Sequence, residues 1–351
     1  MNTFQRIQQA DFEQIKRWFE PSIKTIDMHT GGEPLRVVIA GAPDVEAGSV
    51  LEYRRQMQQH YDDFRKKIMW EPRGHADMYG LILLPPERPD SDFGVLFLHN
   101  EGYSTMCGHA TIAIAKLAVM LGWVERQEPI TKLKIDAPCG QLAAFVEIVN
   151  GTVRSVSFNN VPAFVVTLND TIRLSSGQKL NYDLAYGGAF YAYVQARDVS
   201  LELKPENYRR IIDKGMEIKH AVMAQRTIAH PHEADLSFLY GTIFIDESPN
   251  PKCHSRNVCV FADGEVDRSA TGSGVSGRAA IQFARQELEI GQRIEIESIT
   301  GSTMTVSVEE TTTFGTYPAV IPRVQGDAWV HGFSEFSFDA QDLFPDGFFL
   351  R

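Results

Sequence analysis

The sequence predicts an α/β protein of two similar halves, each offering one helix N-terminus. Three observations point there. "TMCGHATIAIAKL" and "SATGSGVSGRAAIQF" each run from a polar turn into small and aliphatic residues, so Cys107-Gly108-His109-Ala110 aligns with Thr271-Gly272-Ser273-Gly274. The offset from 107 to 271 is 164 residues, close to half of a 351-residue chain. Each unit follows short apolar runs and precedes a pair of alternating ones, the order of strands feeding a central helix.

Taken in order, "IKTIDMHTGGEPLRVVIAG" reads as a strand, a Gly31-Gly32 turn and a second strand. "SVLEYRRQMQQHYDDFRKKIMW" sets Leu51, Met57, Tyr61 and Phe64 at helical spacing and predicts one amphipathic helix. "DMYGLILLPP" and "FGVLFLHNEGY" are short apolar runs bounded by turn residues, hence strands. The first central helix is predicted from Ala110 to Leu121, closed by Gly122. Asn150-Gly151, between alternating segments, predicts a hairpin. A long middle reads as loop-rich, after which "YGGAFYAYVQA", "IKHAVMAQ" and "LSFLYGTIFID" read as strands. "SRNVCVFADGEVDRSATGSGVSGRAAIQFARQEL" repeats strand, turn and helix, and "QRIEIESITGSTMTVSVEE" adds a pair around Gly301-Ser302. The halves are placed at 1–180, joined by a returning C-terminal segment 325–351, and at 181–324.

Composition bounds the function. With 43% hydrophobic residues the chain has enough apolar material for a large core or two ordinary domains. A net charge of -11 without a dense Lys/Arg block argues against nucleic acid and anionic membrane as partners. The N-terminal "MNTFQRIQQADFEQIKRWF" lacks the apolar core of a secretory signal, and no run is long enough to span a bilayer. Four cysteines do not make a disulfide framework in a chain this long. The expected location is the cytoplasm, where Cys107 persists as a thiol.

A helix start leaves backbone N–H groups without partners and favours negative charge. Two such starts facing each other would hold a small carboxylate through N–H groups alone, with no Lys or Arg. A cysteine there has its thiolate favoured, and a thiolate abstracts protons, attacks carbonyls or binds metal. Metal needs companions at suitable spacing, and Cys107 has none; His230, His232, Cys253, His254 and Cys259 are the nearest alternative cluster. An inert buried cysteine is the plainer reading of the motif alone. Asp267 caps a turn or holds an ammonium; Thr271 and Ser273 are ordinary N-cap residues by default. His29 and Glu33 in the Gly-Gly turn, His75 and Asp77 in "PRGHADMYG", and Gly187-Gly188 are further candidates for the cleft or its support.

"DMHTGGEPLRVV", "MCGHATIA" and "DRSATGSGVSG" resemble the signatures of the proline racemase family, which includes hydroxyproline epimerases and trans-3-hydroxy-L-proline dehydratases. The likeness runs from about Ile26 to near the C-terminus. It implies a fold like that of diaminopimelate epimerase: two similar domains, each a curled sheet around a central helix, with the site between them. It implies no cofactor and no metal, and either a homodimer or a monomer carrying both halves of the site. Of the two family cysteines that serve as base and acid, the first falls on Cys107; where the second would fall this chain has Thr271. By the same resemblance Gly108, His109, Gly272 and Ser273 supply backbone N–H groups to the substrate carboxylate, and Asp267 takes the ring nitrogen.

The threonine separates the family's reactions. Racemisation needs a titrating group on each face of the alpha carbon, and a hydroxyl is a poor acid or base without an activating neighbour. No such neighbour is evident beside Thr271 in the sequence. Dehydration is one-sided: in trans-3-hydroxy-L-proline the alpha hydrogen and the hydroxyl share a ring face, so one group serves both. The Cys107/Thr271 pair therefore resembles the trans-3-hydroxy-L-proline dehydratases. The alternatives are a hydroxyproline 2-epimerase or proline racemase, or a non-catalytic amino-acid binding protein.

Overall fold

A computed structural model describes residues 2–11 and 22–350; the remainder of the polar N-terminal stretch lies outside them. After a short helix α1 (Thr3–Gln8), the first half opens with β1 (Ser22–Thr30) and β2 (Glu33–Ala40), antiparallel across the Gly31-Gly32 turn. The single helix expected next is two, α2 (Val50–His60) and α3 (Asp62–Met69). Tyr61 breaks the run, with φ -133°, and is exposed rather than core-facing. The break lets Tyr53 and Met57 face the sheet from one helix and Phe64, Ile68 and Met69 from the other. β3 (Tyr79–Leu84), β4 (Phe93–His99) and the short β5 (Tyr103–Ser104) lead into α4 (Gly108–Met120).

Every residue of α4 from Gly108 to Ala115 is buried, as a helix apolar on all sides requires. It is wrapped by β1, β2, β6 (Ile130–Ala137), β7 (Gly140–Val149), β8 (Thr152–Asn159) and neighbouring strands. β7 and β8 form the hairpin expected at Asn150-Gly151, both of which take positive φ (51° and 77°) so that the turn matches strand twist.

The middle is not loop-rich. β9 (Ala163–Arg173) and β10 (Lys179–Tyr186) form a long antiparallel pair, continued by β11 (Phe190–Gln195). "IKHAVMAQ" is not a strand but the end of α5 (Tyr208–Gln225), whose buried Ile211, Gly215, Ile218 and Val222 keep helical period. β12 (Leu239–Asp246), β13 (Ser255–Phe261) and β14 (Glu265–Val266) precede α6 (Gly272–Ala284), buried like α4. β15 (Arg293–Glu297), β16 (Thr303–Phe314), β17 (Tyr317–Gly326) and β18 (Ala328–Ser337) complete the chain.

β9 packs on α6 and pairs with β10. β17 pairs with β8 of the first half and with β9 and β16 of the second. β18 then returns to pair with β1 along its length. Two curled sheets, each around one buried helix, are thus stitched into one sheet system. Among the described residues no helix is long and apolar enough to cross a membrane.

Candidate active site

The two buried helices meet end to end. A Cβ on Gly108 would lie 2.4 Å from Gly272 Cα, so neither first residue can carry a side chain without moving a backbone. The first intrahelical bonds run from Thr111 N–H to the Cys107 carbonyl and from Val275 N–H to the Thr271 carbonyl. The N–H groups of Gly108, His109, Gly272 and Ser273 come before those bonds and have no helical carbonyl to donate to. The Ser273 hydroxyl is occupied with that of Tyr191, at 2.7 Å, leaving its N–H for the site. The two N-termini abut at Gly108 and Gly272, and helix ends of this kind favour negative charge.

Beside that point lies a small cavity of about 20 Å³, room for about one water. Cys107, His109, Asp267 and Thr271 form its polar side, and Tyr79, Tyr240 and Phe261 its aromatic wall. Cys107 and Thr271 are 4% and 5% exposed, so a ligand here is enclosed.

Cys107 is the N-cap of α4, and its Sγ accepts the Ala110 N–H at 3.4 Å. His109 Nδ1 stands 3.0 Å from the same sulfur, while Nε2 faces the Pro34 carbonyl at 3.3 Å. With Nε2–H donating to that carbonyl, Nδ1 holds a lone pair toward the thiol. Burial lowers the His109 pKa, so the neutral ring is the resting form. The thiolate expected from the helix end is not the resting state of the closed cavity. Burial pushes the Cys107 thiol well above its usual range; the Ala110 N–H and the Tyr79 hydroxyl pull it down, and the charges of Asp267 and Glu33 push it further up. The resting pair is S–H donating to imidazole, and the ring is the acceptor when the thiol gives up its proton.

Across the cavity, Asp267 accepts the Ser269 N–H at 2.7 Å through Oδ1 and the Thr271 hydroxyl at 2.8 Å through Oδ2. Thr271 therefore does have a carboxylate neighbour, which the sequence did not reveal. It holds φ +66° and ψ 94°, a costly conformation for a β-branched residue, of order 1–3 kcal/mol. The strained turn directs its oxygen to Asp267 instead of capping α6. Aimed there, the hydroxyl fixes the carboxylate's orientation.

The remaining candidates fall elsewhere. His29 stacks on Trp329, and His75 is exposed. Asp77 and Glu33 are buried but bond to Arg268, not to the cavity. A Cβ on Gly187 would meet the Ser273 carbonyl at 2.3 Å, so that glycine serves helix packing. Among the described residues no group of three or more His, Cys, Asp or Glu side chains could hold a metal ion.

Sequence reasoning missed the aromatic wall and Cys259, which also lines the cavity. Tyr240 matters most among these, because its hydroxyl is buried in the cavity wall beside those of Ser104 and Tyr79. The signal, inward-facing positions of β12 and β13, was present only as strand alternation.

A family model described as proline racemase matches residues 25–349. The chain is 49% identical over 330 residues to a trans-3-hydroxy-L-proline dehydratase of Colwellia psychrerythraea, covering 94% of this chain and 93% of that one. It is 42% identical over 330 residues to a 3-hydroxyproline 2-epimerase of Burkholderia multivorans, covering 94% and 98%. A crystal structure of a hydroxyproline epimerase from Agrobacterium vitis with bound trans-4-hydroxy-L-proline superposes with a TM-score of 0.88 at 29% identity, covering 94% of this chain and 96% of that one.

Proposed function

Because the chain belongs to the proline racemase family, we propose that it dehydrates trans-3-hydroxy-L-proline to 1-pyrroline-2-carboxylate and water. The observation that carries this reading is the asymmetry of the cavity: a thiol with a proton acceptor on one side, an alcohol bound to a carboxylate on the other. Relatives of both kinds resemble the chain over nearly its whole length, so overall likeness does not choose between dehydration and epimerisation. The chemistry of residue 271 does.

In this reading the carboxylate lies across the two helix ends, which stabilise the charge that develops as the alpha C–H bond breaks. The ring ammonium sits at Asp267, neutralising a charge that otherwise raises the Cys107 thiol. The thiol proton passes to His109 Nδ1, 3.0 Å from the sulfur. The thiolate takes the alpha proton. The C–H electron pair becomes the C2–C3 double bond, the C3–O bond breaks, and the proton now on sulfur leaves with the hydroxyl as water. The enamine tautomerises to the cyclic imine. No electrons are gained or lost, and no added reactant is needed.

One observation favours a 2-epimerase instead: Cys259, on the second half, brings another thiol to the cavity. Burial and the Asp267 charge push that thiol well up, as they do Cys107, but Cys107 has His109 Nδ1 3.0 Å from its sulfur to take its proton. Incubation in deuterated water decides. Purified protein is expected to convert trans-3-hydroxy-L-proline without added cofactor, measured as proline after borohydride reduction, and to invert neither proline nor trans-4-hydroxy-L-proline appreciably. Rapid inversion without water loss would overturn the assignment.

The buried Tyr240 hydroxyl gives a second test. A 3-hydroxyl on the ring offers it a partner, and proline does not. Tyr240→Phe is expected to lower kcat/KM for trans-3-hydroxy-L-proline about tenfold, the worth of one buried hydrogen bond. The inhibition constant of L-proline should stay within about twofold.

A further inference from the structure

We propose that Glu33 is a positioning residue for Asp267: reaching from the first half, it clasps the loop that carries that carboxylate and so sets its contact with the substrate's ammonium. The inference rests on the reading of Asp267 as the ammonium's partner. Glu33 is the first residue of β2 and wholly buried. Its Oε2 accepts the backbone N–H of Arg268 at 2.7 Å, the peptide directly following Asp267. On the other side, the Asp267 N–H is tied to the Cys259 carbonyl at 3.1 Å. One tie is within the second half; the Glu33 tie refers the loop to the opposite half.

The rest of the turn repeats the arrangement. The Gly31 carbonyl accepts the Thr300 hydroxyl at 3.0 Å and the Ser302 hydroxyl at 2.9 Å, and Thr300 also donates to the Arg268 carbonyl at 3.1 Å. A Cβ on Gly31 would lie 2.5 Å from Ser302 Oγ, and its φ is +61°, so only glycine brings the turn this close. Asp77 of the first half pairs with Arg268 Nη1 at 2.7 Å. The His29–Glu33 stretch is thus a clasp between the halves, closed directly over the loop from Asp267 to Thr271.

Burial, then the charge of Asp267, pushes the Glu33 carboxyl well above the usual range; Arg268 opposes this and Asp77 adds to it. Glutamine keeps the reach of Glu33 and an oxygen to accept the Arg268 N–H. Calorimetry with two ligands tests the clasp. L-proline brings carboxylate and ammonium; pyrrole-2-carboxylate brings the carboxylate on a planar ring without the ammonium. Glu33→Ala is expected to weaken L-proline about 30-fold, the scale of a misaligned charge-assisted contact, and pyrrole-2-carboxylate less than about threefold. Glu33→Gln should bind L-proline within about threefold of the original protein. If the alanine variant does not fold, Glu33→Met, with similar reach and no acceptor, must show the same split. Equal losses for both ligands, or no rescue by glutamine, would overturn the proposal. Asp267→Asn is the control: if it leaves L-proline binding intact, the ammonium reading fails by itself.

Discussion

Cys107→Ser is expected to lower the turnover of trans-3-hydroxy-L-proline by about four orders of magnitude, near the upper end of what a positioned base contributes, while pyrrole-2-carboxylate binds within a few-fold of its original affinity. Serine is a good N-cap and can accept the Ala110 N–H that Cys107 accepts now, so α4 keeps its start. It can also donate to His109 Nδ1, so the ring keeps its partner. What the variant loses is the one group in the cavity whose conjugate base is both accessible and placed beside a proton acceptor. Binding through backbone N–H groups is untouched, which is why affinity and rate should separate.

The same residue and His109 set the pH dependence. In the proposed mechanism Cys107 hands its proton to His109 before acting as a base, so the competent free enzyme pairs a thiol with a neutral imidazole. Burial lowers the His109 pKa, which moves the acid limit of that form to lower pH, and raises the Cys107 thiol, which moves its alkaline limit up. The rate per free enzyme, kcat/KM, is therefore expected to be flat through neutrality and to fall on the acid side as His109 takes a proton from solvent. A Cys107→Ser variant within tenfold of the original rate would remove Cys107 from the mechanism.

What the sequence made legible has a physical boundary. Cys107, Asp267 and Thr271 were readable because each sits within a few residues of a helix start, and a helix start declares itself locally through glycine, capping residues and the small-residue run that follows. The near repeat at 164 residues foretold that the two starts belong to one site. Tyr79, Tyr240 and Phe261 were not readable. They come from three strands whose parallel and antiparallel partners lie far away in sequence, and each is by itself an ordinary apolar strand residue. The direction of the Thr271 hydroxyl was hidden for another reason: it depends on a strained backbone angle imposed by the loop. Helix α5 was misread because Gly215 holds one position of its buried stripe, where a glycine weakens the helical pattern. There it lets the helix settle against Val260, whose Cβ would be 2.6 Å from any added methyl.

The meeting of the helices makes Gly108 the most demanding position outside the titrating groups. Gly108→Ala is expected to cost about 100-fold or more in kcat/KM and to lower the melting temperature measurably. The added Cβ would lie 2.4 Å from Gly272 Cα, 3.0 Å from its carbonyl carbon and 3.2 Å from its nitrogen. These are backbone atoms of a buried helix, so no rotamer change relieves the contact; one helix end must retreat by about an ångström. Overpacking of this kind costs roughly 1–3 kcal/mol of stability. Misplacing a reacting group by about 1 Å costs on the order of 10²-fold in rate, and here the retreat separates Cys107 on one helix from the Asp267–Thr271 loop on the other. In the proposed binding mode both ends hold the carboxylate, so pyrrole-2-carboxylate should weaken too, which distinguishes this variant from Cys107→Ser. Gly272→Ala meets the same contact from the other side, at 2.6 Å, and should give the same paired loss of rate and affinity. Full activity in either variant would mean that the two helix ends do not jointly hold the substrate.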